Sequence, residues 1–131
     1  MDYRKEMLYT ASVSLEKESF EKQLSLGALG LGGESGEVVD LIKKVLHHGK
    51  PLDKDKLIEE MGDVRWYLEY LAASIGVSME EIETRNIKKL RARYPNGFSK
   101  EAANAPRKDL TFSEEAAIIK NKELEKKAQN D

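Results

Sequence analysis

The sequence contains no cysteine, and that one absence removes disulfide bridges, thiolate metal sites and a thiol nucleophile together. It fits a chain that works in a reducing cytoplasm. No stretch approaches the ~20 apolar residues needed to span a bilayer. The first ten residues carry Asp2, Arg4, Lys5 and Glu6 and lack the apolar run of a secretory signal. A soluble cytoplasmic protein, without a membrane partner, is the expectation. Net charge is missing too: 22 basic and 24 acidic residues leave −2. No whole-chain field therefore calls for a nucleic acid polymer or an anionic lipid surface, and any anionic ligand must be bound by a local arrangement. Proline is scarce, at Pro51, Pro95 and Pro106 only, so these positions and the glycines beside them divide the chain.

What is present is helical patterning. A composition of 40% hydrophobic and 35% charged residues over 131 positions suits one domain of amphipathic helices. Met7, Leu8, Ala11 and Leu15 recur at steps of three and four, which predicts a first helix from residue 2 to about 18. A second is predicted over about 20–48, with Leu24, Ala28, Leu31, Val38, Ile42 and Val45 as its stripe and Gly49 and Pro51 as its stop. Five glycines fall inside it, at 27, 30, 32, 33 and 36. Each costs a helix interior about 1 kcal/mol relative to alanine, so they imply either a break near Gly32 and Gly33 or a close backbone approach. Asp53 or Asp55 caps a third helix whose stripe is Leu57, Met61, Val64, Leu68, Leu71 and Ile75, ending at Gly76. Ser78 followed by Glu81 is a capping box opening a fourth, through Ile82 and Leu90 to the turn at Tyr94 and Pro95. Residues 113 to about 127 read as a charged helical appendage with a thin apolar side. The expected fold is all-α, a bundle of four core helices, with a domain over 1–98 and a partly helical extension over 99–131.

The chemistry sits where two of these helices carry acidic pairs. At 100° per residue, Glu60 stands about 60° and Asp63 about 120° from the centre of the third stripe. Glu34 and Glu37 stand about 40° and about 100° from Val38, displaced in the same sense. Such i, i+3 pairs are common as solvated surface, but a carboxylate on the shoulder of a buried stripe is costly unless paired or metal-bound. A short connection between the helices favours antiparallel packing, which lets the four carboxylates converge around a cation. With no histidine or thiolate in the set, a hard, oxygen-preferring ion fits, Mg²⁺ first and Mn²⁺ next.

These residues lie in segments that resemble the MazG-like members of the all-alpha NTP pyrophosphatase superfamily. GLGGESGEVVDLIKK at 30–44 looks like the first, ExxE, half of the family signature, and EEMGDVRWYL at 59–68 looks like the second, ExxD, half. NIKKLRARYPNGF at 86–98 resembles the third, phosphate-side element. The resemblance covers about residues 24–98. It implies Mg²⁺-dependent hydrolysis of a (deoxy)nucleoside triphosphate to the monophosphate and pyrophosphate, in a homodimer or homotetramer. It makes Glu34, Glu37, Glu60 and Asp63 the metal ligands and catalytic centre, and it turns Asn86, Lys89 and Arg93 toward the nucleotide. Those three also share one helical face by their spacing. Some relatives carry a further acidic residue where this chain has Gly33, which leaves water activation to the metal and one of the four carboxylates.

The remaining conspicuous residues have plainer readings. Trp66 and Tyr70 lie about 180° and about 140° from the third stripe. A single chain is expected to leave them exposed, as a subunit interface or, second, a base-stacking surface. His47 and His48 complement the C-terminal dipole of the second helix. Lys43 and Lys44 read as solvated helix residues, with Lys44 also a candidate phosphate contact. A phosphoribosyl-ATP pyrophosphohydrolase on the same scaffold, or a non-catalytic helical interaction module, are the competing functions.

Overall fold

The computed structural model describes residues 1–106. They contain five helices and no strand: α1 (Tyr3–Thr10), α2 (Phe20–His48), α3 (Lys54–Ser74), α4 (Met79–Arg93) and α5 (Lys100–Asn104). The predicted appendage over about 113–127 lies outside the described residues. Contacts divide the chain into two compact units, Met1–Ile82 and a second from Glu83 onward.

In the first unit α2 and α3 form an antiparallel hairpin. Gly27 meets Leu71 and Tyr70, and Gly30 meets Tyr67, so residue numbers rise along one helix as they fall along the other. Both helix starts are fixed by the side chains that the sequence offers. Ser19 and Asp53 sit in extended backbone as N-caps and accept from the Lys22 and Lys56 amides. Gly49 ends α2 with φ 67°, a left-handed conformation that glycine adopts without a Cβ penalty. α2 runs unbroken through all its glycines. Of the two readings of that cluster, close approach is the one found, at Gly27 and Gly30 only. A Cβ on Gly30 would overlap the Tyr67 ring and one on Gly27 would overlap Leu71, while Gly32, Gly33 and Gly36 face open space.

The first helix is shorter than its apolar spacing predicts: α1 ends at Thr10, not near residue 18. Thr10 Oγ1 turns back onto the Glu6 and Met7 carbonyls, and Ser14 Oγ takes the Glu16 amide. Such local bonds offer the backbone an alternative to helix. Ala11, Val13 and Leu15 nevertheless pack into the same core as Met7, which is why their spacing mimics a helical stripe.

That core also corrects the reading of Trp66 and Tyr70. Tyr70 is 0% exposed, its hydroxyl donates to the Val13 carbonyl at 3.1 Å, and Trp66 stacks on it at 5.5 Å. Trp66 Nε1 donates to Thr10 Oγ1 at 2.8 Å. α1 and the following loop cover this face of α3 inside one chain. An ion network reinforces the contact. Buried Glu69 pairs with Arg4 and Arg65, each at 2.7 Å, and Arg4 Nη2 reaches the Val77 carbonyl. Burial pushes the Glu69 carboxyl up, but the hydrogen bonds and charges of Arg4 and Arg65 outweigh it and hold it below the usual range. The stripe expected to be core is the one left open: Leu57, Val64 and Leu71 are half-buried, whereas Met61, Leu68 and Ile75 are exposed, Met61 at 57%.

Just before the boundary between the units the Glu81 amide donates to Ser78 Oγ, the N-cap half of the predicted capping box that opens α4. α4 stops before Pro95, and Gly97 turns the chain with φ 86°. The short α5, capped by Ser99, was not foreseen by periodicity, being little more than one turn long.

Candidate metal centre

Three of the four predicted carboxylates converge. Glu34 from α2 and Glu60 and Asp63 from α3 each offer an oxygen, all within 4.8 Å of one another. The antiparallel register accounts for this, since the same pairing that sets Gly30 against Tyr67 sets Glu34 against the turn of α3 that bears Glu60 and Asp63. Glu60 is the deepest, 6% exposed, Glu34 is half-buried and Asp63 open. Glu37, one turn further along α2, is exposed and stands outside the group of three, although its charge is felt at Glu34.

The electrostatics are those of an under-neutralised cluster. Partial burial, then the negative charges of Asp63, Glu60 and Glu37, push the Glu34 carboxyl above its ordinary range, and a carboxyl hydrogen bond with Glu60 adds to this. Among the described residues one cation answers them: Lys56 Nζ lies 2.8 Å from Glu60 Oε1 and 3.4 Å from Glu59 Oε2. Sequence reading passed over Lys56, although its i, i+4 spacing to Glu60 was the available signal. An all-carboxylate set from two packed helices, crowded enough to raise a member's proton affinity, fits a hard divalent cation.

The predicted nucleotide contacts are placed as follows. Lys44 is engaged with Asp40, which Lys43 also meets at 2.9 Å. Hydrogen bonds from Lys44 and Lys43 hold the Asp40 carboxyl down at about 2. Asn86 and Lys89 are exposed on α4. Arg93 Nη2 donates to the Ala103 carbonyl at 2.8 Å, and its guanidinium lies over the Tyr94 ring at 5.4 Å. Arg93 therefore joins the end of α4 to α5 as well as presenting a cation.

Beside Glu34 and Glu60 the groove between α2 and α3 opens as a cleft of about 250 Å³, lined by Ser35, Val38, Met61 and Val64. No helix among the described residues is long and apolar enough to cross a membrane.

The "Gene 37 protein" of Mycobacterium phage L5 is 36% identical over 78 residues, spanning 56% of this chain and 68% of the phage protein. No solved structure matches. The family model for the MazG nucleotide pyrophosphohydrolase domain matches residues 23–98. That match takes in more than half of the sequence, both carboxylate-bearing segments and all of α3 and α4, and the chain belongs to this MazG family.

Proposed function

We propose that the chain hydrolyses (deoxy)nucleoside triphosphates to the monophosphate and pyrophosphate, in the cytoplasm, as a means of clearing surplus or non-canonical nucleotides. The observation that carries this reading is the convergence of Glu34, Glu60 and Asp63 within the segment the MazG family model matches. These three, with Glu37 recruited from the next turn of α2, would hold Mg²⁺ or Mn²⁺. Such an ion supplies charge neutralisation at the phosphates and a lowered pKa for water. Glu34, which joins Glu60 and Asp63 from the facing helix, is proposed to orient the attacking water and accept its proton. Water adds at phosphorus, the P–O bond to the leaving group breaks, and pyrophosphate departs. Asn86, Lys89 and Arg93 are proposed as nucleotide contacts on the strength of the third motif, and the pairing of Lys44 with Asp40 makes Lys44 the weakest member of that set. The domain proper is taken as 1–98, with 99–131 an extension.

The reaction is tested by incubating the full chain with Mg²⁺ and a panel of ribo- and deoxynucleoside triphosphates plus phosphoribosyl-ATP, with the products resolved by chromatography. Monophosphate and pyrophosphate in equal amounts are expected from at least one triphosphate. Turnover of phosphoribosyl-ATP alone would transfer the reading to that substrate. No turnover at all would favour a non-catalytic helical module.

A homodimer or homotetramer is part of the proposal. Met61 and Leu68 on one face of α3 and Ile75 just past its end recur every seventh residue, and α2 adds Val39, Ile42 and Leu46, all exposed in a single chain. A stripe of this kind is typical of helix surfaces that pack against another helix. A second copy laid over it would also wall the open cleft. Light scattering on the eluting protein is expected to give a multiple of the single-chain mass. Ile75→Lys should weaken assembly by about tenfold or more, and an unchanged, monomeric mass in both proteins would remove the oligomer.

A further inference from the structure

Lys56 holds a position that helix energetics do not explain. It stands in the first turn of α3, its amide already given to the Asp53 cap at 2.9 Å, where a positive charge opposes the helix dipole. Its partner Glu60 lies four residues toward the C-terminus, the weaker order for a helical ion pair. Its side chain is 50% exposed and free to extend into water. It nevertheless folds onto the most buried carboxylate of the centre, and no other ion pair reaches Glu34, Glu60 or Asp63 among the described residues.

We propose that Lys56 is the resident counter-cation of the carboxylate centre: its ammonium neutralises Glu60 in the metal-free protein and is displaced when a divalent cation binds. This rests on reading the centre as a cation site. The ammonium and the ion require the same carboxylate, so Lys56 acts as an internal competitor. It keeps the empty cluster from repelling itself apart and sets the affinity for the ion below what the carboxylates alone would give. Lys56 is thus a positioning residue, working through Glu60.

The experiment is a Mn²⁺ titration of the full chain followed by electron paramagnetic resonance, with Mg²⁺ as competitor. It compares the wild type with Lys56→Gln, Lys56→Arg and Lys54→Gln. Lys54 is two residues away on the same turn, so its variant measures the general effect of losing one positive charge. Lys56→Gln is expected to tighten the dissociation constant by about fivefold, the worth of one unit charge at contact in water. Lys54→Gln should change it far less, and Lys56→Arg should stay near wild type. In protein whose lysines carry ¹³C-dimethyl groups, the Lys56 resonance, assigned by its loss in Lys56→Arg, should move during a Mg²⁺ titration and saturate with the same midpoint. An unchanged or weaker constant in Lys56→Gln, equal tightening in Lys54→Gln, or a Lys56 resonance indifferent to Mg²⁺ would each overturn the displacement. Those outcomes leave saturable binding by the wild type intact. Absence of saturable binding in every protein would instead overturn the cation site, and Lys56's role with it.

Discussion

Replacing Glu60 by glutamine is expected to lower turnover by on the order of 10²–10³-fold and to abolish saturable Mg²⁺ binding, with the helices intact. Glutamine keeps the size of the side chain and removes its charge. Glu60 is buried and shared among Glu34, Asp63 and Lys56, so it cannot be replaced by a neighbour swinging in from solvent. The effect on stability should be small, because two consequences oppose each other. Lys56 loses its partner, and Glu34 loses one of the charges that raise its carboxyl. The pH dependence separates them. With a folded pKa above the ordinary 4.5, Glu34 binds its proton more tightly in the native state. Its contribution is present below that ordinary value and is lost as pH rises through the raised one. Metal-free wild type should therefore shed stability as pH rises above about 4.5 through this window, and Glu60→Gln should show a shallower slope. Denaturant unfolding in the presence of a chelator, repeated from pH 4.5 to 7, checks the slope, and product chromatography checks the turnover. A variant that keeps wild-type turnover would show that the Glu60 carboxylate takes no part in the reaction.

The same residues show what a sequence of this kind discloses. α2 was legible to its last residue because Gly49 and Pro51 punctuate it, and α3 because its capping aspartate and its 3.6-residue stripe agree. The convergence of Glu34 with Glu60 and Asp63 followed from phase and an antiparallel turn. Glu37 shows the limit of that argument: at about 100° from the stripe, its side chain rests on the solvent side of α2. Periodicity also identifies apolar faces without saying what covers each. α3 has two, one through Met61, Leu68 and Ile75 and one through Trp66 and Tyr70. The first is longer and more regular, yet the second is the one that α1 covers, a choice made by Met7, Val13 and the Arg4–Glu69 pair, 65 residues apart in the chain. Lys56 was passed over for a related reason, since a lysine in a charged first turn is ordinary until its carboxylate partner is seen to be buried.

That choice of face underlies the largest expected loss of stability. Tyr70→Ala should cost about 3–5 kcal/mol, as truncation of a fully buried aromatic does. It removes the ring on which Trp66 stacks and the contacts of Met7 and Val13. Tyr70→Phe should cost about 1–3 kcal/mol, because the Val13 carbonyl, which takes the tyrosine hydroxyl at 3.1 Å, is left without its donor. If Tyr70 belonged to a subunit interface, both variants would lower the mass in light scattering, and their unfolding midpoints would depend on protein concentration far more than the wild type's. As a core residue, Tyr70 should instead shift the urea midpoint by the same amount at every concentration. Tyr70 and Asp63 are seven residues apart and share a face of α3 to within about 20°. The grip of α1 on the aromatic pair therefore fixes the rotation of α3 that turns Glu60 and Asp63 toward Glu34. Tyr70→Phe, which keeps the ring and hence that rotation, should leave Mn²⁺ affinity within about twofold of wild type while losing stability. A loss of affinity as large as that of Glu60→Gln would show that the hydroxyl bond to Val13, and not ring packing alone, sets the angle of the helix.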